Sequence, residues 1–232
     1  ANETRMLAVD LSLQEEAGGI ATDLLNIPGQ PGVALTVEGT GPIDDITVDV
    51  ALSTDEQPRV TGTITSQSAG PGAPRSIVAD IGGDLLPLLD ESLHPFFGPR
   101  STLSARIDQD PTGAIALSDL SLCTRALTLT GEARIGANGQ PRLLDLEGVI
   151  GDPASDAPVP LPGGGGDLTL REARLDLAFD ASAGQSYALV AGIDDLAFEG
   201  VRLGKTRLRL AGATPMKLVR YLSLRYLPLI YL

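Results

Sequence analysis

The stretch RALTLTGEARIGANGQPRLLDLEGVIG, Arg125 to Gly151, alternates apolar and polar residues on both sides of a polar turn. Leu127, Leu129 and Ala133 share one phase before the turn, and Leu144, Leu146 and Ile150 share one after it. Side chains on a strand alternate faces with a period of two, so each arm reads as a strand with one apolar face. The Asn138-Gly139 pair between the arms is a strong hairpin signal. Each arm also carries a glycine on its apolar beat, Gly131 and Gly148. Glycine buries nothing, so two things need a physical reason: why the face carries it, and what the face covers.

The same alternation runs outward in both directions. Leu7, Val9, Leu11 and Leu13 open the chain in a strand. GVALTVEGTG, IDDITVDVALS, PRVTGTITS and RSIVADIGG follow, with Val48, Val50 and Leu52 on one face of the second. After Gly98-Pro99 come Thr102–Ile107 and Ala114–Leu122; after the hairpin come Leu168–Asp180, with Leu175, Leu177 and Phe179 in phase, then Ser186–Ile193, Leu196–Leu203 and Thr206–Ala213. Two segments break the rhythm. Ala17, Ile20, Ala21, Leu24 and Leu25 share a helical face that Pro28-Gly29 stops, although Gly18-Gly19 weakens it. In GDLLPLLDESLHPFFGPR, Asp84 is placed to cap a helix, Pro87 fits its first turn, and Gly98-Pro99 ends it. The expectation is a mainly β chain of roughly a dozen antiparallel strands with two short inserted helices. Short links between successive strands favour a meander of hairpins.

Composition agrees and excludes several classes. Aromatic residues make up 3% of the 232, with no Trp, so Leu, Val, Ile and Ala must supply nearly all apolar area. The 27 Gly and 17 Pro are spread along the chain, as many short strands and turns require. Seventeen basic against 30 acidic residues give a formal charge of -13, which argues against nucleic acid as a partner. Cys123 and His94 are the only residues of their kinds, so neither an intramolecular disulfide nor a Cys/His metal cluster can form. No apolar run approaches the ~20 residues that span a bilayer as a helix. The chain opens directly in strand-like alternation without a signal pattern, and reads as a mature protein or a piece of a longer one.

The beat apolar–x–apolar–x–Gly recurs: Leu35, Val37, Gly39; Leu127, Leu129, Gly131; Leu144, Leu146, Gly148; Leu208, Leu210, Gly212; and, shortened, Val60, Gly62, Ile64. In each case the glycine is in phase with the aliphatic residues. Strand glycine can mark a bulge, a bend or a close approach between packed sheets. Alternatively the apolar face is concave, and the glycines permit curvature and keep a trough from filling. Leaving one Leu or Val exposed forfeits about 1.5–3 kcal/mol, so faces this long require cover. A second sheet would provide it, as a closed sandwich. An acyl chain would also provide it, gaining about 0.8 kcal/mol for each buried methylene.

No catalytic constellation emerges. LGKT, Leu203 to Thr206, resembles the end of a phosphate-binding loop, but Glu199 stands where that motif needs glycine, and the surroundings read strand–turn–strand. The Gly163–Gly166 run lacks a following helix and reads as a flexible loop. Asp108, Asp110 and Gly113 lack the remaining calcium ligands and read as a polar turn. Asp44-Asp45 and Asp194-Asp195 are sequence neighbours that point to opposite strand faces, so neither is a ready acid/base pair. His94 reads as a partly exposed structural residue and Cys123 as a small core-like side chain. No enzyme activity, cofactor or metal is expected.

The segments LLNIPGQPGVALTVEGTGPIDDITVDVALSTDEQPRVTGTI, LLPLLDESLHPFFGPRSTLSARI and LSLCTRALTLTGEARIGANGQPRLLDLEGVIGDP resemble the TamB family of the AsmA-like group, long periplasmic proteins of Gram-negative bacteria. VEGTGPIDD, HPFFGPR and TRALTLTG look like alphaproteobacterial members, and the likeness covers roughly residues 5–213. The resemblance implies a body anchored in the inner membrane by an N-terminal helix and crossing the periplasm as a "β-taco" groove. It implies phospholipid movement toward the outer membrane and, in some bacteria, work with an outer-membrane β-barrel partner. The anchor helix and the C-terminal domain that meets the barrel are not evident here, which implies an internal segment.

The expectation is therefore an elongated, curved antiparallel sheet with an apolar groove over residues 1–213, with a possible sub-boundary at the loop 152–167 and an atypical tail at 214–232. Its lining is expected to comprise Val48, Val50, Leu52, Leu127, Leu129, Gly131, Ala133, Leu144, Leu146, Gly148, Ile150, Leu175, Leu177, Phe179, Leu208, Leu210 and Gly212. Phospholipid acyl chains are the expected occupants, in the periplasm. The alternative is a chaperone-like or structural β module that aids outer-membrane protein assembly by strand pairing. The tail PMKLVRYLSLRYLPLIYL gathers Tyr221, Tyr226, Tyr231, Lys217, Arg220 and Arg225. It reads either as an unusual terminus or as a segment that lies at a membrane surface or plugs the groove.

Overall fold

The computed structural model describes residues 5–24, 26–163, 167–184 and 186–212. The tail expected at 214–232 and Leu25 of the first helical segment lie outside them. The chain runs β1 (Met6–Glu15), α1 (Ile20–Leu24), β2 (Val33–Pro42), β3 (Asp45–Thr54), β4 (Gln57–Ser68) and β5 (Arg75–Gly83). After α2 (His94–Phe97) it continues as β6 (Ser101–Gln109), β7 (Ile115–Cys123), β8 (Leu127–Ile135) and β9 (Pro141–Ile150). Then come β10 (Val159–Pro160), β11 (Thr169–Leu170), β12 (Glu172–Asp180), β13 (Ser186–Asp194), β14 (Leu196–Phe198), β15 (Val201–Leu203) and β16 (Thr206–Gly212).

Twelve of these strands form one antiparallel sheet in the order β1-β2-β3-β4-β5-β6-β7-β8-β9-β12-β13-β16, a near-perfect meander that does not close into a barrel. At roughly 4.8 Å per strand spacing the sheet is about 50 Å long across its strands. The quoted hairpin is its β8–β9 pair, with Leu129 opposite Gly148 and Gly131 opposite Leu146. The sheet continues directly from β9 to β12 across the loop at 152–167, with Gly148 opposite Leu175. The excursions β10–β11 and β14–β15 form a separate four-stranded sheet.

Three sequence expectations need correction. The 84–98 segment is not one helix but single 3-10 turns at Leu86–Leu88 and Glu91–Leu93 followed by the one-turn α2. Asp84 accepts the Leu86 N–H at 3.0 Å, but it stands one residue before Leu85, the N-cap of the first 3-10 turn. Pro87 and Pro95 remove backbone donors, and the His94 ring takes over part of the bonding, with Nε2 2.9 Å from the Leu86 carbonyl and 3.2 Å from that of Leu89. The stretch Leu168–Asp180 is two strands in different sheets, broken at Arg171. Leu196–Leu203 is likewise a hairpin, because Glu199 and Gly200 both have positive φ (47° and 84°) and turn the chain back.

Bulges bend the large sheet. In β7 two residues, Ser118 and Asp119, stand where β8 offers only Glu132, between the Leu117–Ala133 and Leu120–Gly131 pairs. Asp119 has φ 52° and Gly131, on the facing strand, φ 146°. A second irregularity places Arg59 of β4 as an extra residue between the Leu52–Val60 and Ser53–Pro58 pairs. There the Arg59 Nε–H donates to the buried Thr54 hydroxyl at 2.7 Å. An extra residue on one strand increases twist and curls the sheet, which is how an open sheet becomes a curved one.

Candidate functional site: the apolar face of the large sheet

Registers join the strands into continuous rows. One runs Leu11, Val37, Val50, Gly62, Ile81, Leu103, Leu122, Leu129, Gly148, Leu175, Ala191, Leu208, each directly opposite the next. It crosses all twelve strands without a polar residue. Beside it lie Leu120, Gly131, Leu146, Leu177, Leu189, Leu210 and, one row further, Ile107, Leu117, Ala133, Leu144, Phe179, Tyr187, Gly212. Val48 is opposite Ile64 and Leu52 opposite Val60 on the same face. Every expected lining residue therefore lies on one surface. The face residues on β1, β2, β4, β5, β6, β7 and β13 were not among them, although each of these strands carries the same alternation in its sequence.

The reverse face is polar. Its matching row reads Asp10, Glu38, Asp49, Thr63, Asp80, Ser104, Ser121, Thr130, Glu147, Asp176, Val190, Arg209. Cys123 lies on this side, half-buried between Thr102 and Thr128, rather than in a core.

The apolar face is not sealed. Among the described residues buried hydrophobic side chains are few: Ile27, Val33, Ile46, Phe96, Ala126, Val159, Leu170 and Phe179. Along the central row Leu11 is 53% exposed, Leu103 37% and Leu175 38%. An opposing sheet packed about 10 Å away would bury such residues almost completely. Among the described residues the face is partly shielded by its own curvature and by one packed rim.

That rim gathers all the insertions: α1, the 84–98 segment, β10–β11 and β14–β15 all leave the sheet at the same end of the strands. Phe96, Ala126 and Val159 form a buried cluster, with Phe97, Leu127, Ile150 and Leu161 packed against it. Phe96 and Phe97 meet edge to face with centroids 5.1 Å apart. Hydrogen bonds fix this arrangement: Arg125 N–H to the Phe97 carbonyl (2.9 Å), Ala126 N–H to that of Phe96 (3.0 Å), and Gly151 N–H to that of Ala126 (2.8 Å). Leu127 and Ile150 thus belong to the packed rim as well as to the face. Among the described residues the opposite rim consists of hairpin turns at 43–44, 69–74, 110–114, 136–140 and 181–184.

The two glycines of the opening hairpin differ in kind. A Cβ on Gly131 would strike the carbonyl oxygen of Asp145 and lie 2.9 Å from the Leu146 Cα, both on the neighbouring strand. Gly131 is there for the bend. A Cβ on Gly148 would meet the Leu129 Cδ1 at 3.4 Å, the Leu175 Cβ at 3.7 Å and the Thr128 carbonyl oxygen at 3.9 Å, all at ordinary contact distance. Gly148 leaves space on the floor. Neither touches an opposing sheet. At the last strand Tyr187 lays its ring over Gly212, filling the gap the glycine leaves.

The polar candidates are turn formers. Asp110 accepts from the Thr112 hydroxyl (2.6 Å) and the Thr112 and Ala114 N–H groups, which lowers its pKa below the ordinary 3.8, the Thr112 side chain contributing most. Asp194 pairs with Arg171 and, at 3.9 Å, Lys205; Asp195 pairs with Arg202 at 3.9 Å. LGKT joins β15 to β16, strand to strand. Among the described residues no group of three or more His, Cys, Asp or Glu side chains is placed to hold a metal ion, and no helix is long and apolar enough to cross a membrane.

Asp152 holds the packed rim from outside. It accepts the Ala154 N–H (2.9 Å) and the Arg125 guanidinium (2.7 Å), and these bonds, the backbone one first, lower its pKa below 3.8. A carboxyl with a depressed folded-state pKa contributes stability that is present above its unfolded value and lost as pH falls through the folded value. Acid titration of the chain should therefore loosen this rim below about pH 4. Asp152→Asn is expected to flatten that acid limb in circular dichroism or tryptophan-free fluorescence of the tyrosines. An unchanged limb would place the acid sensitivity elsewhere.

No family model, no curated protein and no solved structure matches this chain.

Proposed function

We propose that this chain is a lipid-binding segment of a TamB-like, periplasm-spanning protein, a non-enzymatic conduit in which phospholipid acyl chains cover the apolar face and diffuse along it between the two membranes. The observation that carries this reading is the row of twelve apolar or glycine positions, continuous from Leu11 to Leu208 and left partly open to solvent. Monomeric proteins rarely leave a large contiguous apolar surface uncovered unless it binds something. A groove that is long rather than pocketed suits an extended hydrocarbon chain, and its central row, Leu11 to Leu208, offers no polar group that would fix one position. The sequence resemblance to TamB proteins points the same way.

The test is extraction of the purified chain followed by lipid mass spectrometry. Co-purifying phospholipid is the expected result. A chain that never carries phospholipid, even after incubation with vesicles of phosphatidylethanolamine and phosphatidylglycerol, is not a conduit.

The second reading, a module that holds β-strands of outer-membrane proteins, is favoured by the outer edges of β1 and β16, which have no strand partner among the described residues. Crosslinking of unfolded barrel strands to β1 in preference to lipid uptake would select it.

A further inference from the structure

We propose that β1 and β16 are the two halves of a head-to-tail joint, through which a second copy of this chain extends the sheet edge to edge, with Asp10 of one copy opposite Arg209 of the next.

Both edges are open among the described residues, β1 pairing only with β2 and β16 only with β13. Exposed edge strands are usually protected by proline, charged side chains (lysine above all), a bulge or shortness. β1 has no proline, lysine or bulge: it is ten residues long, reads MLAVDLSLQE with Asp10 and Glu15 as its charges, and keeps unbroken register from Met6–Pro42 to Glu15–Val33.

Direction and face match. Twelve alternating strands make β1 and β16 run in opposite senses, so a second copy lays its β1 antiparallel beside β16 with both apolar faces on one side. An odd number of strands would have made that contact parallel. The hydrogen-bonding phase matches as well. The Ile43 N–H donates to the Arg5 carbonyl at 2.9 Å, so the odd-numbered residues of β1 bond to β2 and Ala8, Asp10 and Ser12 turn their backbone groups outward. Bonded pairs alternate between the two faces from ladder to ladder, because each strand serves its two neighbours with alternate residues. The eleventh ladder, β13–β16, therefore uses the apolar residues, and Arg207 and Arg209 turn outward. Asp10 opposite Arg209 is then a hydrogen-bonded pair, with Leu11 opposite Leu208 and Val9 opposite Leu210.

The charges are complementary. Asp10, Glu38 and Asp49 are consecutive in one row of the polar face, three acidic groups that make no salt bridge among the described residues. Like charges opposite one another destabilise a sheet. Arg207 and Arg209 at the other end also make no salt bridge among the described residues, and Arg174 lies in the Arg207 row. Each edge supplies what the other lacks. Such a contact is heterologous, so it propagates into a filament or ring instead of stopping at a dimer. The joint does not depend on lipid, and would lengthen the apolar face whatever occupies it.

Sedimentation velocity on the lipid-free 232-residue chain over a concentration series tests this. Oligomers that grow beyond two copies are expected. Asp10→Arg and Arg209→Asp should each weaken association about tenfold by making the cross-strand pair repulsive. The chain carrying both changes should regain it. Asp10→Pro and Arg209→Pro remove only outward N–H groups, which edge strands tolerate. Each alone should be monomeric, and an equimolar mixture should give dimers and nothing larger. A wild-type chain that stays monomeric, or that stops at a dimer, overturns the proposal. So does association that ignores the charge reversals or is not restored by combining them.

Discussion

Leu129→Asp and Leu146→Asp are expected to abolish phospholipid loading while leaving the strand content unchanged. Leu129 faces Leu122 and Gly148, and Leu146 faces Gly131 and Leu177, so a carboxylate at either place stands in the middle of the apolar rows. Covering it with an acyl chain would take a charge out of water without a partner. Even a few kcal/mol of that desolvation penalty outweighs the ~0.8 kcal/mol gained per methylene over several carbons. A loss of at least about tenfold in bound lipid needs only ~1.4 kcal/mol. Without lipid the same carboxylate remains partly hydrated, because the face is open, so the fold should survive. Thr128→Asp provides the control, being one residue away on the polar face. Lipid mass spectrometry should show loading lost in the first two variants and kept in the third. Equal loading in all three would mean that lipid does not lie on this face.

Gly131→Ala should destabilise the chain severely, whereas Gly148→Ala should be close to neutral. At Gly131 the added methyl meets the Asp145 carbonyl of the adjacent strand, and φ 146° is a conformation that side-chain-bearing residues rarely adopt. Backbone strain of this kind costs about 1–3 kcal/mol before the collision is counted. A chain of this size loses roughly 2–4 °C in Tm for each kcal/mol, so a fall of about 5–10 °C is expected. At Gly148 the nearest atom is the end of the Leu129 side chain at 3.4 Å, which can move by a few tenths of an ångström. Thermal unfolding followed by circular dichroism distinguishes the two. Gly148→Leu should keep the fold and reduce lipid loading by filling the floor. If Gly131→Ala and Gly148→Ala shift Tm equally, the bend at Asp119 does not depend on glycine.

The strand pattern was legible because period-two alternation reports a one-sided sheet, and this sheet is one-sided along its whole length. The helix expected at 84–98 was not, because the periodicity of Leu85, Leu89 and Phe96 counts apolar positions and not the donors that Pro87 and Pro95 remove. The bulge at Asp119 left a mark in the sequence, the three-residue step from Leu117 to Leu120 that interrupts the alternation. The turn at Glu199-Gly200 was marked only by a single glycine between short strands, too weak to divide Leu196–Leu203.

Local composition determined that this chain would be mainly β, that its strands would be apolar on one side, and that no Cys/His metal cluster would form. Those follow from side-chain types and a two-residue period, which need no knowledge of neighbours. Tertiary structure decided which strands stand side by side, and so whether separate apolar faces merge into one. It also decided that Gly131 answers to the backbone of β9 and Gly148 to the Leu129 and Leu175 side chains, although both occupy the same beat. A glycine has no side chain to disclose its surroundings. Only the strand beside it shows whether it bends the sheet or keeps the floor clear.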